Sequence, residues 1–406
     1  MVFHPSLSNG VINMQTKITW PLMKNNLSRE DLDLMIDHLK SEDPKLTHGP
    51  KVLEFEKKWS EWLGVKYSVM VNSGASANDL MMLALREIYG QGEIIVPGLT
   101  WVSDIASVIH AGFDPVFVDI DSRTLGMDCN SIMSAITPNT KAVFFTHVLG
   151  FNGLNGELLR ELTKRNIPLI EDVCESHGAT FEGKKLGTFG LASNFSFYYA
   201  HHMTTIEGGI VSTDNEEIYD MIRMMRSHGM VRESSNSEVK VKFASNYPDL
   251  NPDFIFAFGA HNMRPTELNA ILGISQLKRL DQNIIERKAN FEKFLSILDS
   301  KVFQVDFETQ GNSNYAFTLV LREPNFDTRD EIETTLSSFG IEFRRGLAGG
   351  GNQLRQPYLR RTDKYPNPES LPNVDHVHSF GWYFGNYPGL NPSFFDELSL
   401  ALSKFS

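Results

Sequence analysis

Short apolar runs alternate with longer amphipathic stretches between residues 67 and 215. The runs predict strands at 67–72, 93–98, 114–120, 141–148, 167–173, 192–197 and 208–213. Between them, NDLMMLALREIYG and GELLRELTKRN carry apolar residues at the three- and four-residue spacing of amphipathic helices. This alternation predicts an α/β fold with a mostly parallel sheet, and we expect active groups at the carboxyl ends of its strands.

The second half of the chain predicts helices followed by a smaller α+β unit. Helical spacing fills 215–229 and the long stretch 266–298, which is long enough to connect two domains. Segment 234–253 is polar and turn-rich, and we interpret it as a surface loop. The predicted division is an N-terminal segment 1–50 that packs with the small domain, a large domain 51–285 and a small C-terminal domain 286–406.

Composition and charge exclude several classes of protein. The 406 residues are 41% hydrophobic and 22% charged, which is ordinary globular usage. A net charge of -12 without a basic cluster disfavours binding to nucleic acid or to an anionic membrane. The N-terminus lacks a signal-peptide pattern, and no apolar run approaches the ~20 residues that span a bilayer. We therefore expect a cytoplasmic protein.

Cysteine usage limits the metal chemistry. Cys129 and Cys174 are the only cysteines in the sequence. Two thiolates cannot form a disulfide framework, and they cannot supply the four ligands of a usual zinc or iron–sulfur site. The sequence therefore predicts no iron–sulfur cluster.

The first candidate motif is NSGASAND at 72–79, between a predicted strand and a predicted helix. Small residues there let backbone N–H groups and Ser76 approach a phosphate at the positive end of the helix. A tight strand-to-helix turn without a ligand explains the same residues, so both interpretations stay open.

A second motif, IPLIEDVCESHGA at 167–179, ends an apolar run in the acids Glu171, Asp172 and Glu175. A carboxylate at the tip of a buried strand usually has a cationic or hydrogen-bonded partner, and a protonated pyridine nitrogen is one such partner. A carboxylate that caps the next helix is the alternative.

The third motif, FSFYYAHHMTTIEGG at 195–209, places Ser196 near His201 and His202. Adjacent side chains on a strand or loop point in different directions, and no cysteine or further acid–histidine set lies nearby in the sequence. The histidine pair therefore does not predict a metal site.

Together these motifs resemble a known family. The matching segments, in chain order, are HGPKVLEFEKKWSEWLG, NSGASAND, PGLTW, EDVCESHGA, SFYYAHHMTTIEGG, RSHGM and NMRPTELNAILGISQLKRLD. They are similar to the DegT/DnrJ/EryC1/StrS sugar aminotransferases, which are vitamin B6 enzymes. The resemblance implies fold type I of the pyridoxal-phosphate (PLP) transferases, like aspartate aminotransferase, with a mostly parallel mixed sheet and a smaller α+β C-terminal domain.

The resemblance also implies roles for particular residues. The residues that match the family's phosphate-holding positions are Gly74, Ala75, Ser76 and Ser196. Trp101 matches an aromatic residue that stacks on the cofactor ring, Asp172 the carboxylate facing the pyridine nitrogen, and Glu175 a glutamine near the ring hydroxyl. Asn262 matches an asparagine that the neighbouring subunit contributes to the active site, which implies a homodimer with shared active sites.

One departure from the family pattern is informative. The aminotransferases read Ser-Phe-x-x-x-Lys, and the count from Ser196 reaches His201 where they carry the Schiff-base lysine. An imidazole has no primary amine, but it can move protons near neutral pH. Histidine at this place is typical of a small branch, the sugar 3-dehydratases, and the segment 341–357 also resembles that branch despite two additional glycines. Its implied substrate-binding residues are Arg344, Asn352 and Arg355.

The resemblance implies a function. PLP or pyridoxamine phosphate (PMP) is bound without a covalent link, and the C3 hydroxyl of a nucleotide-linked 4-keto-6-deoxyhexose, GDP-4-keto-6-deoxymannose, is removed. His201 is the acid/base, L-glutamate regenerates PMP, and deoxysugar biosynthesis for lipopolysaccharide O-antigen is the implied context. Two alternatives stay open, a nucleotide-sugar aminotransferase with non-covalent PLP and a non-catalytic protein that binds vitamin B6 or a sugar nucleotide, in which His201 is a core histidine.

Overall fold

Seven strands form one mixed sheet in the computed structural model, which describes residues 20–405. The strands within these residues are β1 Tyr67–Val71, β2 Glu93–Pro97, β3 Asp114–Val118, β4 Thr140–Thr146, β5 Leu169–Asp172, β6 Thr180–Phe181, β7 Lys184–Lys185, β8 Ala192–Ser196, β9 Gly209–Thr213, β10 Ala316–Val320, β11 Phe343–Arg345 and β12 Gly381–Gly385. The order in the large sheet is β1-β9-β8-β5-β4-β2-β3, and β9 runs antiparallel to both neighbours while the other pairs are parallel. The predicted mostly parallel sheet is confirmed.

Helices cover this sheet and surround a smaller one. The α-helices within residues 20–405 are α1 Arg29–Leu39, α2 Pro50–Leu63, α3 Gly74–Tyr89, α4 Val102–His110, α5 Cys129–Ala135, α6 Gly156–Arg165, α7 Glu216–Arg226, α8 Ser237–Asn246, α9 Glu267–Leu277, α10 Leu280–Ser296, α11 Phe326–Ser338, α12 Leu347–Gly350, α13 Pro357–Arg360, α14 Pro372–Phe380 and α15 Ser393–Leu402. Among the described residues, no helix combines the length and the apolar character that a membrane crossing needs.

Both faces of the large sheet are buried. Neighbouring residues of a strand point to opposite faces. In β2, Ile94 and Val96 join the apolar cluster that includes α3, whereas Ile95 joins the cluster that includes α2. Burial on both faces explains why these strands read as continuous apolar runs in the sequence.

The smaller sheet has the antiparallel order β10-β12-β11. Trp20 packs against it, with ring centroids 5.7 Å from Phe317 and 5.4 Å from Phe384, and its indole N–H donates to the carbonyl of Gly385 at 2.8 Å. Residues 1–19 of the predicted N-terminal segment lie outside the described residues. The predicted domain boundaries stay a prediction.

Two helical regions differ from the sequence interpretation. The predicted surface loop at 234–253 contains α8, which begins after Asn236, whose side chain accepts a hydrogen bond from the N–H of Glu238. None of the α8 residues is buried, so the helix has no apolar stripe for periodicity to detect. The stretch 266–298 forms two helices, α9 and α10, and between them Arg279 forms an ion pair with Asp31 of α1.

Candidate active site

A cleft of about 410 Å³ opens where the carboxyl ends of the central strands meet the small sheet. Thr146, Asp172 and Ser196 line it from the last residues of β4, β5 and β8. Arg344 and Tyr383 line the opposite side from β11 and β12. This is the place where open α/β sheets bind ligands.

The cleft brings together most of the residues that the sequence singled out. Those that line it are Gly74, Ala75, Trp101, Asp172, Glu175, Ser196, His201 and Arg344. Those outside the lining are Ser76, Asn262, Asn352 and Arg355. The Ser76 hydroxyl lies next to the lining, donating to Asn72 Oδ1 at 2.6 Å. Asn262 lies on the loop before α9, where its side-chain oxygen accepts a hydrogen bond from the N–H of Arg264 at 3.3 Å.

The start of α3 forms a cradle for an anion. Ser73 caps this helix, and its Oγ accepts a hydrogen bond from the N–H of Ser76 at 3.0 Å. A Cβ atom on residue 74 would lie 2.6 Å from the Cβ of Ser196, so only glycine lets the two segments approach this closely. Free N–H groups and the dipole of a 16-residue helix favour a phosphate at this end. The cradle fits the phosphate of a pyridoxal cofactor.

Asp172 is held as a buried hydrogen-bond acceptor at the end of β5. Its Oδ1 accepts from the N–H of Cys174 at 2.8 Å, and its Oδ2 accepts from the Nδ2 of Asn194 at 3.0 Å. The residue is 4% exposed. Among residues 20–405, the partners that donate to Asp172 are neutral N–H groups, which leaves this acceptor suited to a protonated ring nitrogen.

A second buried acid, Asp104 of α4, lies behind Asp172, and the sequence analysis missed it. Its carboxyl group accepts hydrogen bonds from Thr100 Oγ1 at 2.5 Å, Thr146 Oγ1 at 2.7 Å and Asn78 Nδ2 at 2.7 Å. The same Asn78 amide is 3.4 Å from Asp172 Oδ2. Burial, and then the charge of Asp172, raise the pKa of Asp104 well above its ordinary value, which favours its neutral form. An acid next to the apolar positions Ile105 and Val108 of α4 was the available signal.

Strand alternation separates the two acids of the second motif. Glu171 and Asp172 are neighbours in β5, so their side chains point to opposite faces of the sheet. Glu171 accepts hydrogen bonds from three backbone N–H groups of the turn before β8, those of Gly187, Phe189 and Gly190. Glu171 therefore holds this turn, and Asp172 faces the cleft.

Glu175 lies in the cleft as an acid that titrates near neutral pH. Its Oε2 accepts a hydrogen bond from the N–H of Leu149 at 2.8 Å. Burial raises its pKa to about 7, and the charge of Asp172 adds to the effect. Glu175 can therefore exchange a proton in the pH range of the reaction.

Glu175 should make stability depend on pH. Between the unfolded pKa of 4.5 and the folded pKa of about 7, the folded protein keeps a proton that the unfolded chain releases, so the free energy of unfolding falls as pH rises. Relative to Glu175→Gln, wild type should lose roughly 2–3 kcal/mol between about pH 5 and about pH 8. Urea denaturation at the two pH values measures this difference. Parallel pH curves for the two proteins would contradict it, and the exposed Glu157→Gln is the control.

His201 lines the cleft as a neutral imidazole. Its Nδ1 is buried and has no hydrogen-bond partner among residues 20–405, and its ring centroid lies 5.5 Å from that of Tyr315. Burial, and then the charge of Arg287, lower its pKa to about 3. The sequence suggested an imidazole that titrates near neutrality, whereas burial keeps it uncharged. A neutral imidazole is the form that accepts a proton.

His202 points away from the cleft. Its Nε2 lies 3.1 Å from the carbonyl oxygen of Ser313, and its Nδ1 lies 3.3 Å from Nδ1 of His177. All three residues are buried. In the described part of the chain, no three His, Cys, Asp or Glu side chains are grouped to hold a metal ion. His202 thus contributes to the support of the loop that carries His201.

Lysine is missing from the lining of the cleft among residues 20–405. Lys185 of β7 donates from Nζ to the carbonyl of Trp62 at 2.8 Å and lies 4.8 Å from the Trp62 ring centroid. Lys184 is exposed on the same short strand. Neither side chain takes the place of a Schiff-base lysine.

Trp101 and a glycine loop form one edge of the cleft. Trp101 is 55% exposed, and a Cβ atom on Gly349 would lie 2.2 Å from its ring. Gly349 has φ +72°, which side-chain-bearing residues rarely adopt. Arg344 lines the cleft nearby and pairs with Glu342 at 3.1 Å. The ring face of Trp101 is thus available to a flat ligand.

The side chains of Asn352 and Arg355 are engaged with residues 368–375. The Nδ2 of Asn352 donates to the carbonyl of Pro368 at 3.1 Å and to Asp375 Oδ1 at 3.2 Å. Arg355 pairs with Asp375 at 2.6 Å and with Glu369 at 3.0 Å. Their role in substrate binding stays a prediction, as do the roles assigned to the residues in the cleft.

Comparison with known proteins assigns the family. Residues 26–398 match the model of the DegT/DnrJ/EryC1/StrS aminotransferase family. The chain belongs to this family. The predicted family and its pyridoxal-phosphate transferase fold are thereby confirmed.

Several members of the DegT/DnrJ/EryC1/StrS family resemble the whole chain. GDP-4-keto-6-deoxy-D-mannose 3-dehydratase of Escherichia coli O55:H7 is 33% identical over 94% of this chain and 98% of that protein. A solved structure of the E. coli 3-dehydratase with bound hydrated PLP has a TM-score of 0.85 at 32% identity, covering 95% of this chain and 99% of that one. Another GDP-4-keto-6-deoxymannose 3-dehydratase structure, with a trapped PLP–glutamate geminal diamine, has a TM-score of 0.83 at 32% identity and covers 94% of this chain and 100% of that one.

Proposed function

We propose that this family member is a PLP/PMP-dependent 3-dehydratase that removes the C3 hydroxyl of a nucleotide-linked 4-keto-6-deoxyhexose, GDP-4-keto-6-deoxymannose. L-Glutamate restores the amine form of the cofactor. The observation that carries the proposal is the lining of the cleft, which contains His201 and, within residues 20–405, no lysine. The names of relatives 32–33% identical over nearly the whole chain support it.

The chain offers a non-covalent site for the cofactor. Ser73 to Ser76 and Ser196 are placed to hold the phosphate, Trp101 to cover one face of the ring, and Asp172 to accept a hydrogen bond from the protonated ring nitrogen. When bound, the vitamin supplies an amine that condenses with the sugar ketone and a ring that accepts electrons. Asp172 keeps that ring protonated, and neutral Asp104 behind it adds no second charge.

His201 moves the proton in this proposal. As a neutral imidazole with a buried Nδ1 it can accept a proton from carbon, and the imidazolium so formed can return a proton to the departing C3 hydroxyl. Burial makes the imidazolium a strong acid, because the surroundings disfavour its charge. Burial therefore favours the return of the proton to the C3 hydroxyl more than its removal from carbon.

Product analysis tests the proposal. Purified protein is incubated with PLP, glutamate and GDP-4-keto-6-deoxymannose, and ammonia, the sugar product and the absorbance of the cofactor are followed. Steady ammonia release with a C3-deoxygenated keto sugar is expected. An amino sugar that retains its C3 hydroxyl would show the aminotransferase alternative, and binding without turnover would show the non-catalytic one. Borohydride should not fix the cofactor to a lysine.

The proposal includes a homodimer with shared sites, to which Asn262 contributes. Leu46 and Ile206 are exposed apolar residues that flank the start of α9, where the N–H of Glu267 bonds the Leu46 carbonyl and Asn269 Nδ2 bonds the carbonyl of Thr205. Exposed apolar patches commonly mark association surfaces. Full activity in a species that sediments as a monomer would contradict the dimer.

A cytoplasmic location is the last part of the proposal. Cys129 and Cys174 are both free thiols, which suits a reducing compartment. Recovery of the protein in a periplasmic or membrane fraction of its own cells would contradict this location.

A further inference from the structure

A second cavity, of about 290 Å³, lies beside the cleft. Both share walls formed by Leu22, Met23, His201, Tyr315 and Tyr383. A group that occupies the second cavity is therefore close to whatever reacts at His201. The basic residues Lys24, Arg279 and Arg287 also line the second cavity.

One of these charges is already neutralised. Arg279 Nη1 and Nη2 bond the two carboxylate oxygens of Asp31, at 3.0 Å and 2.5 Å. Among residues 20–405, Lys24 and Arg287 have no carboxylate oxygen within 4.0 Å. Lys24 is exposed, and its Nζ lies 5.8 Å from the ring centroid of Tyr387. The cavity thus has two uncompensated positive groups, one exposed and one deep.

Arg287 is an unusual buried cation. It is 3% exposed, its Nη1 donates to the carbonyls of Tyr315 at 2.7 Å and of Asn386, and its Nε has no partner in the described part of the chain. Burial lowers its pKa to about 10, which still leaves it protonated at neutral pH. A buried charge without a partner of opposite sign is costly, and an anion beside it would gain charge-assisted hydrogen bonds.

We propose that this cavity is an anion subsite in which Arg287 and Lys24 bind the negatively charged end of a reactant. The inference rests on the proposed function, because the reactants there are a dicarboxylic amino donor and a sugar diphosphate. Carboxylate and phosphate have the same recognition chemistry, with oxygens that accept hydrogen bonds from guanidinium and ammonium. The amino donor is the expected source, since a five-carbon dicarboxylate is small enough to enter a cavity of this size whole.

Titration of the PLP-loaded protein, without amino donor or sugar, tests the subsite without turnover. Succinate stands for the donor's carboxylates and inorganic diphosphate for the sugar nucleotide, and calorimetry measures their affinities. Lys24→Gln, on an exposed segment, should weaken succinate binding about fivefold, and Arg287→Lys, which keeps the charge but loses the planar fork, about tenfold. The exposed Lys57→Gln is the matched control.

Kinetics of the loaded enzyme give a second measurement. Each variant should raise the KM for glutamate by about the factor by which it weakens succinate binding. The maximal rate of the glutamate step should stay within about twofold of wild type. If the variants weaken only diphosphate binding and raise the KM for the sugar nucleotide, the subsite is supported and its ligand is phosphate. Wild-type affinities for both probes in both folded variants would overturn the subsite. If the protein does not turn over the sugar at all, the titrations still decide whether the anion subsite exists.

Discussion

His201→Asn should bind the cofactor like wild type but dehydrate the sugar about 10²–10⁴-fold more slowly, the usual loss when a general acid–base is removed. Asparagine is close to imidazole in size but cannot accept a proton from carbon. The uncharged state of His201 is the form that can accept this proton, and its low pKa favours the later return of the proton to the departing hydroxyl. Single-turnover release of the deoxygenated sugar measures the loss, and the cofactor's absorbance shows that the site is still loaded.

His202→Asn is the matched comparison for this variant. His202 is an imidazole of the same loop, but its nitrogens face Ser313 and His177 inside the protein. Its replacement should lower thermal stability while dehydration per folded, loaded molecule changes by less than about tenfold. A His201→Asn enzyme that dehydrates at the wild-type rate would refute the role of His201.

Asp172→Asn should slow the reaction by about 10²–10³-fold, because the amide cannot hold the ring nitrogen protonated through charge. The amide keeps the size of the carboxyl group, but its single oxygen can accept only one of the hydrogen bonds that Cys174 and Asn194 donate to the two oxygens of Asp172. Some thermal stability should therefore be lost, rates are compared per folded, loaded molecule, and the absorption band of the bound cofactor should shift with its lost proton. Spectra across pH and single-turnover rates measure the two effects.

Glu171→Gln distinguishes a loss of fold from a loss of chemistry. Glu171 is the neighbour of Asp172 on the other face of β5, where it accepts three backbone N–H bonds. Its replacement should reduce the free energy of unfolding by about 1–3 kcal/mol and leave the cofactor spectrum unchanged. Unchanged spectrum and rate in Asp172→Asn would count against the assignment of Asp172 to the ring nitrogen.

The sheet was predictable because its strands are buried on both faces. The run 141–148 has the apolar centre AVFF at 142–145, and the matching strand β4 covers Thr140–Thr146. Helix α8 was missed because it has no buried residue. Its polar composition predicted a loop, although Asn236 is a favourable N-cap residue. Sequence periodicity records only those elements that contribute to the core.

The candidate site was predictable where a residue's place depends on its local chain. Gly74, Asp172 and Ser196 follow from strand ends and a helix start, and they meet in the cleft. The role of Asp104 behind Asp172 was not predictable. Of its hydrogen-bond partners only Thr100 is near in the chain, whereas Asn78 and Thr146 come from other segments. The low pKa of His201 depends on burial, which no local pattern reports. Long-range packing decides such properties.

The contact between Trp101 and the glycine at position 349 has a consequence for engineering and for natural drift. The indole occupies the space that a side chain on residue 349 would need, and the backbone there is left-handed. Shrinking the indole would free room for a methyl group but not relieve the dihedral strain. Of these two positions, almost 250 residues apart in the chain, only Trp101 can therefore be exchanged without backbone strain when the pocket is redesigned for a bulkier sugar.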